Sequence, residues 1–181
     1  MGAPPTRPTR ALVVGRFQPP HRGHLACLRH ATTAADETLV VVGSAQRSHT
    51  ARDPFTAGER IEMLHAAAAD EGLRLDHVIP VPDLDMYHLW VAHVDALVPA
   101  YDVVVTASPM TAHLFAKAGR RVERIDAVRR TEWSGTAIRA RLAQGQDPED
   151  ALTPGVRRLL RRPDIDERLR ALAAADAGHH G

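Results

Sequence analysis

The chain of 181 residues is long enough to bury one sizeable hydrophobic core and to form a single domain with a short appendage. Its apolar fraction of 44% and its charged fraction of 25% are typical of a soluble globular protein. The net charge of +1 provides no broad basic field, so we expect neither a nucleic-acid partner nor a membrane partner.

Targeting and redox signals indicate a cytoplasmic protein. No run approaches the roughly 18 to 20 apolar residues that a membrane-spanning helix needs, and no signal peptide is recognised at the start of the sequence. Cys27 is the only cysteine, which excludes an intrachain disulfide and is typical of a reducing compartment. Residues 1–9 hold three prolines without apolar periodicity, which predicts a disordered lead-in.

Strand and helix signals alternate along the chain. Apolar or β-branched runs predict strands at 11–14, 38–42, 77–81, 102–106 and 121–125. Apolar residues at helical spacing predict helices at 24–35, between Thr56 and Gly72, at 89–97, at 109–118 and from SGTAIR (134–139) onward. Thr56 and Glu59 have the spacing of a capping box. From Pro148 on, the sequence predicts short helices that are broken by Pro154 and Pro163.

This alternation predicts an α/β protein with a doubly wound parallel sheet of about five strands and a short C-terminal helical appendage. The continuous run 38–42 is typical of a central strand that is covered on both faces. The predicted division is a lead-in (1–9), a main domain (10–146) and a helical tail (147–181). In such sheets ligands bind outside the carboxyl ends of the strands, and the turn after the first strand lies there.

That turn is GRFQPPHRGH (15–24). Glycine and proline are needed in such a turn for local reasons, so a turn without further function is one interpretation. His21 and His24 are three residues apart at a helix start, where both rings can face one side and free backbone amides attract an anion. Gly23 between them leaves room for a phosphate. Zinc ligation is a third interpretation, but no nearby cysteine or acid completes a ligand set.

The segment SGTAIR (134–139) predicts a second helix start of the same kind. Ser134 is a favourable N-cap, and the segment is on that ground an ordinary capped helix. Arg139 in the first turn, however, is unfavourable to the helix dipole unless an anion compensates for it. Two helix starts that each follow a strand would form a two-sided cradle for a polyphosphate.

Two loops carry further candidates. The polar segment 43–55 has the composition of a solvated loop, although Arg47 and Arg52 lie at the same sheet edge and can reach a ligand there. In the segment 81–90, Trp90 on an apolar helix face is more typical of a core residue than of a binding residue. Asp83 and Asp85 are typical of solvated caps.

Four segments, taken in order, resemble one known family: GRFQPPHRGH, GSAQRSHTARDPFTAGER, PVPDLDMYHLWVAHV and EWSGTAIRARL. They are similar to the archaeal-type nicotinamide-nucleotide adenylyltransferases, within the nucleotidyltransferase superfamily that carries an H-x-G-H signature. The likeness extends from about residue 12 to 142. It implies a Rossmann-like fold, the reaction of ATP with nicotinamide mononucleotide to give NAD and pyrophosphate, a need for Mg²⁺, and a homo-oligomer that is often a hexamer.

The resemblance also implies roles for the matching residues. His21, His24, Arg16 and Arg139 would be catalytic and would hold the ATP phosphates. Further ATP or phosphate contacts are implied for Gly15, Phe17, Gly23, Arg52, Ser134, Gly135 and Thr136. The nicotinamide nucleotide would contact Trp90, which would stack on the ring, together with Tyr87, Asp83 and Ser108. Tyr87 and Ser108 depart from the family, which often has asparagine at both positions. No residue is assigned as a metal ligand.

The expected chemistry is direct in-line attack by a phosphate oxygen on the α-phosphorus of ATP, without a covalent intermediate. A phosphate monoester needs no activating base, because its second pKa of about 6 leaves it largely ionised at neutral pH. Two alternatives stay open. One is a transferase of the same superfamily that uses another acceptor, such as flavin mononucleotide or phosphopantetheine, or a cytidylyl donor. The other is a non-catalytic adenine-nucleotide sensor.

Overall fold

The computed structural model describes residues 7–129 and 131–178. Most of the predicted lead-in and the end of the predicted tail, 179–181, lie outside these ranges. Residues 7–9 are held to the domain by two acids. The Arg7 guanidinium donates to Asp102 at 2.8 Å, and the Thr9 amide and hydroxyl donate to Asp36 at 2.8 and 2.7 Å.

Five parallel strands form one sheet in the order β3-β2-β1-β4-β5. The strands are β1 (Arg10–Gly15), β2 (Glu37–Val42), β3 (His77–Pro80), β4 (Val103–Thr106) and β5 (Val122–Arg124). The chain winds outward from β1 to β3 and then crosses to β4 on the other side of β1. The predicted doubly wound sheet is therefore confirmed, with its switch point between β1 and β4.

Seven helices are present in the described residues: α1 (Arg22–Ala34), α2 (Ala57–Asp70), α3 (Tyr87–Leu97), α4 (Pro109–Lys117), α5 (Gly135–Ala143), α6 (Pro154–Leu160) and α7 (Pro163–Gly178). α1 and α3 begin two residues earlier than predicted, so His21 becomes the N-cap of α1 and His24 lies in its first turn. The capping box of α2 is confirmed, since the Thr56 hydroxyl accepts from the Glu59 amide at 3.2 Å and Glu59 accepts from the Thr56 amide at 2.9 Å. Among the described helices, none is long and apolar enough to cross a membrane.

The sheet is buried on both faces because helices pack against each of them, and each strand contributes to both cores since its successive side chains point to opposite sides. Leu12, Leu39 and Val41 pack with α3 and α4 on one face. Val13 and Val40 pack with α1, α2, α5, α6 and α7 on the other. The run 38–42 is fully buried, as expected of a central strand.

The segment after residue 147 contributes to the larger of the two cores. Leu152, Val156 and Ile165 are at most 1% exposed and pack in the same cluster as α1 and α2. Where α6 begins, the amide of Gly155 donates to the Asp70 carboxylate of α2 at 2.6 Å. The division of the chain at residue 146 stays a prediction, and the packing joins the two segments closely.

Candidate active site

A cleft of about 660 Å³ opens at the carboxyl edge of the sheet, where the loops after β1, β2, β3 and β4 meet the start of α5. Most of the predicted site residues line it: Gly15, Arg16, His21, Gly23, His24, Arg52, Asp83, Tyr87, Trp90, Ser108, Ser134 and Gly135. Phe17, Thr136 and Arg139 do not line the cleft. The structure therefore brings the segments predicted to bind phosphate and those predicted to bind the acceptor to one place.

His21 and His24 stack at the start of α1, with their ring centroids 3.7 Å apart. The backbone amide of His21 donates to Nδ1 of His24 at 3.3 Å. Because Nδ1 of His24 accepts this bond, the neutral ring carries its proton on Nε2 and can donate it to an oxygen. A Cβ at position 23 would lie 3.0 Å from Nδ1 of His21, so a side chain there would require the ring to shift by a few tenths of an ångström.

Both imidazoles are neutral at pH 7. Burial, and secondarily the charge of Arg139, lower the pKa of His21 to about 4. Burial, followed by the charges of His21 and Arg16, holds the pKa of His24 well below its usual range. A bound polyphosphate would favour the protonated forms, since a nearby negative charge raises the pKa of an imidazole.

Two buried residues of the turn before α1, Phe17 and Gln18, support its conformation, and the sequence pattern did not predict this role for them. Phe17 is 1% exposed and places its ring 4.6 Å from that of His24, so its side chain orients the histidine rather than lining the cleft. Gln18 is buried and exchanges two hydrogen bonds of 2.9 Å with the backbone of Phe55. A polar residue between Phe17 and two prolines was the sequence signal for this contact.

Arg16 and Arg139 lie close enough to influence one another. Arg16 pairs with the buried carboxylate of Asp53 at 3.3 Å. Arg139 donates to the Gln18 carbonyl at 2.9 Å and to the Thr136 hydroxyl at 3.3 Å. Burial, followed by the charge of Arg16, lowers the pKa of Arg139. Such convergence of positive charge is unfavourable by itself and is relieved by a bound anion.

The sequence pattern also did not predict a role in the site for Arg60 of α2. It is fully buried, and its guanidinium donates to the carbonyls of Arg16, Gly43 and Ser44 at 2.9, 2.9 and 3.2 Å. These carbonyls follow β1 and β2, so Arg60 fixes the backbone from which the cleft is built. An arginine on the apolar face of a predicted helix was the available signal.

The second helix start forms the opposite wall. Ser134 is the N-cap of α5, and its hydroxyl accepts from the Ala137 amide at 3.2 Å. The indole of Trp133 also lines the cleft and donates to Asp150 at 3.1 Å. The N-termini of α1 and α5 thus face one cleft, as the sequence predicted for a two-sided anion cradle.

The far end of the cleft contains the residues predicted for the acceptor nucleotide. Trp90 of α3 is half-buried and packs against the smaller core. Its indole ring would lie 3.8 Å from a Cβ at position 43, so it borders the space next to Gly43. Tyr87 is 73% exposed. Asp83 accepts from the Ser44 hydroxyl at 3.2 Å, and Ser108 caps α4. Trp90 is therefore both a core residue and a wall residue, and its stacking role stays a prediction.

In the described ranges, no cluster of three or more histidine, cysteine or acidic side chains could hold a metal ion. Magnesium, however, is commonly bound through substrate phosphates, waters and only one or two carboxylates. The donor set of the cleft therefore fits an ion that arrives with a nucleotide rather than one held in a protein cage.

Comparison with known proteins agrees with this geometry. The cytidylyltransferase-like family matches residues 12–141. Nicotinamide-nucleotide adenylyltransferases from Aeropyrum pernix and Ignicoccus hospitalis are 44% and 42% identical to this chain over 166 and 170 residues. These alignments span 90% and 92% of this chain and 96% and 99% of the relatives. The chain belongs to the nicotinamide-nucleotide adenylyltransferase family.

The fold of the family is also found in solved structures. Two structures of a bifunctional NMN adenylyltransferase/ADP ribose pyrophosphatase from Francisella tularensis superpose with TM-scores of 0.73 and 0.71 at 16% and 19% identity. Each match covers 94% of this chain and 54% or 53% of that longer one. The second structure is a complex with AMP and a manganese ion.

Proposed function

We propose that this protein transfers the adenylyl group of ATP to nicotinamide mononucleotide, giving NAD and pyrophosphate. The observation that carries the proposal is the convergence of two helix N-termini, two neutral imidazoles and several arginines on one cleft at the switch point of the sheet. This set of donors suits a polyphosphate. The cleft extends past it to Trp90 and Tyr87, which leaves space for a second nucleotide.

In the proposed reaction, a phosphate oxygen of the mononucleotide attacks the α-phosphorus of ATP. The bond from that phosphorus to the bridging oxygen breaks, and its electron pair leaves with pyrophosphate. Nε2–H of His24 donates to the reacting phosphate, and Arg16 and Arg52 on the cleft wall, with Arg139 beside Gly135, balance the charge of the polyphosphate. Catalysis of this kind consists of positioning and charge stabilisation, with no covalent intermediate.

A divalent ion, which we propose to be Mg²⁺, would neutralise charge on the phosphate oxygens when it is bound with ATP. The side chains of the cleft hold the nucleotide and keep both substrates in line.

The test is pyrophosphate release from ATP and Mg²⁺ with a panel of acceptors: nicotinamide mononucleotide, its acid form, flavin mononucleotide and phosphopantetheine. We expect pyrophosphate and NAD to form in equal amounts with nicotinamide mononucleotide. Release only with flavin mononucleotide or phosphopantetheine, or only with CTP in place of ATP, would assign the chain another acceptor or donor. Binding of ATP without release with any acceptor would indicate a nucleotide sensor.

We also propose that the protein is cytoplasmic. We further propose that it is a homo-oligomer, as in its family, where hexamers are common. Supporting this, Leu84, Met86, Leu89 and Leu97 expose between 38% and 46% of their surface on α3 and the segment before it. Light scattering of the purified protein gives its mass. A monomer at micromolar concentration would contradict the oligomer.

A further inference from the structure

The loop between β2 and α2, residues 43–55, is called here the arginine loop because it carries Arg47 and Arg52 into the cleft. Part of its backbone is in the left-handed region: His49 has a φ of +58°, which residues other than glycine adopt rarely. Within the loop, a turn is closed by the hydrogen bond of 3.0 Å from the Asp53 amide to the Thr50 hydroxyl. A loop in this conformation needs fixed contacts outside itself to present its arginines reproducibly.

One such contact comes from the C-terminal helix, far away in sequence. Arg168 of α7 donates from one nitrogen to Glu59 at 2.6 Å and from another to Nε2 of His49 at 3.0 Å. The side chains of Arg168 and Glu59 are only 13% and 15% exposed. Glu59 also closes the capping box at the start of α2. Arg168 therefore joins α7 to the arginine loop and to the helix that follows it.

The donor and the acceptor of the Arg168–His49 hydrogen bond follow from the chemistry of the two side chains. An arginine is always protonated in proteins, so Nε2 of His49 must accept, and the neutral ring carries its proton on Nδ1. That nitrogen lies 2.9 Å from the Ser48 hydroxyl, which extends the network along the loop. Breaking a largely buried, charge-assisted pair such as Arg168–Glu59 costs more than breaking an exposed one, because it leaves a buried charge unpaired.

Apolar contacts support the same arrangement. A small cavity of about 50 Å³ is lined by Ala51 and Pro54 of the arginine loop, by Arg139, and by Leu169 and Leu172 of α7. One face of α7 thus lies against both the loop and the predicted catalytic arginine of α5. The helix is placed to hold them in one geometry.

We propose that Arg168 is a positioning residue for ATP: through His49 and Glu59 it holds the arginine loop so that Arg52 faces the polyphosphate, while Arg47 of the same loop pairs with Asp85. The proposal rests on the proposed function in taking ATP as the ligand of the cleft. It assigns to the helical tail a part in the active site that neither its sequence nor the family match at 12–141 indicates.

The test compares Arg168→Gln with Arg170→Gln, a matched control on the same helix whose side chain is 78% exposed and pairs only with Asp166 among the described residues. For Arg168→Gln we expect the KM for ATP to rise about tenfold, as for the loss of one charge-assisted hydrogen bond. The KM for the mononucleotide and kcat should stay within about twofold of the original values. Arg168→Lys, which keeps the pair with Glu59, should have a KM for ATP between those of the unaltered protein and Arg168→Gln. Arg170→Gln should leave all three constants unchanged.

His49→Ala removes the loop side of the contact and should also raise the KM for ATP. The double variant Arg168→Gln/His49→Ala should be no worse than Arg168→Gln, since that change already removes the contact with His49. If Arg168→Gln does not fold, as judged by its urea unfolding curve, His49→Ala decides the question alone.

An unchanged KM for ATP in a folded Arg168→Gln protein would overturn the proposal, and so would an equal rise of both KM values. Failure of the proposed function looks different, because the unaltered protein would then form no NAD and release no pyrophosphate from ATP with nicotinamide mononucleotide. In that case calorimetric ATP affinities of the same variants test Arg168. A loss of affinity in Arg168→Gln but not in Arg170→Gln would support its role, and equal affinities would refute it.

Discussion

At the scale of single residues, the cleft depends on polar groups held in neutral or unbalanced states before any ligand binds. His21 and His24 are neutral because burial lowers the pKa of each. Arg16 and Arg139 lie near one another with only Asp53 as a close counter-charge in the described residues. A bound polyphosphate would raise the pKa of both imidazoles and offset the repulsion between the two arginines. The local electrostatics of the cleft therefore favour binding of an anion.

His24→Ala should reduce turnover by about a hundred- to a thousandfold, as for the loss of one donor to a reacting group. ATP affinity should fall less, by under about tenfold, since the arginines and helix N-termini remain. Steady-state pyrophosphate release and calorimetry measure the two quantities. His65→Ala, on the exposed side of α2, serves as the control. Near-normal turnover in His24→Ala would rule out its assigned role.

The lowered pKa of His21 also predicts a pH dependence of stability. Between about pH 6.5 and pH 4 the unfolded chain binds a proton at this residue that the folded chain does not, so the free energy of unfolding falls as the pH is lowered. His21→Asn should lose less of its stability between pH 7 and pH 4.5. Urea unfolding at three pH values measures this difference, and parallel curves for both proteins would contradict it.

At the scale of elements, helix starts decide where ligands and other helices can approach. α1 and α5 direct their N-termini into the cleft. α6 begins instead against α2, where the Gly155 amide meets the Asp70 carboxylate. A side chain at Gly155 has no room, because a Cβ there would lie 2.8 Å from Asp70 Oδ2 and 3.0 Å from the Ala66 Cβ.

Gly155→Ala should therefore destabilise the protein by about 1–3 kcal/mol through overpacking. The matched control is Gly58→Ala in α2, where the nearest atom to a new Cβ is 4.0 Å away. That change should be neutral or stabilising by up to about 1 kcal/mol, since alanine favours a helix more than glycine does. Urea unfolding of both variants gives the comparison. Equal effects at the two positions would show that α6 does not pack on α2 as described.

At the scale of the whole molecule, two cores cover the two faces of one sheet, and the larger includes the helices after residue 147. Ile165 of α7 and Leu152 before α6 are each 1% exposed within it. The C-terminal segment should therefore unfold together with the rest of the protein in one cooperative transition.

Leu152→Ala should lower the free energy of unfolding by about 2–5 kcal/mol, the usual range for a buried leucine that leaves a cavity. Lys117→Ala, at an exposed position near the end of α4 and outside the apolar surface proposed for the oligomer, should change it by less than about 0.5 kcal/mol. Denaturant curves followed by tryptophan fluorescence and by circular dichroism should coincide. A separate early transition in Leu152→Ala would instead indicate that the tail folds independently.

Much of the site could be predicted because its signals are local. A turn between strand and helix, two histidines three apart and a serine N-cap are each contained in a few neighbouring residues. The contacts of Gln18 with Phe55 and of Arg139 with the Gln18 carbonyl could not be predicted in this way. They join residues 37 and 121 positions apart, and no short pattern encodes them.

The sequence by itself determined the order of strands and helices, the burial of β2 on both faces and the family of the chain, because hydrophobic periodicity and short motifs act over a few residues. Only the tertiary structure decided that Phe17 supports His24 rather than lining the cleft, that Trp90 is at once core and wall, and that α7 reaches the arginine loop through Arg168. These outcomes depend on how the helices pack across the sheet. That packing is a property of the whole core, and it brings together side chains whose own neighbourhoods in sequence carry no mark of the contact.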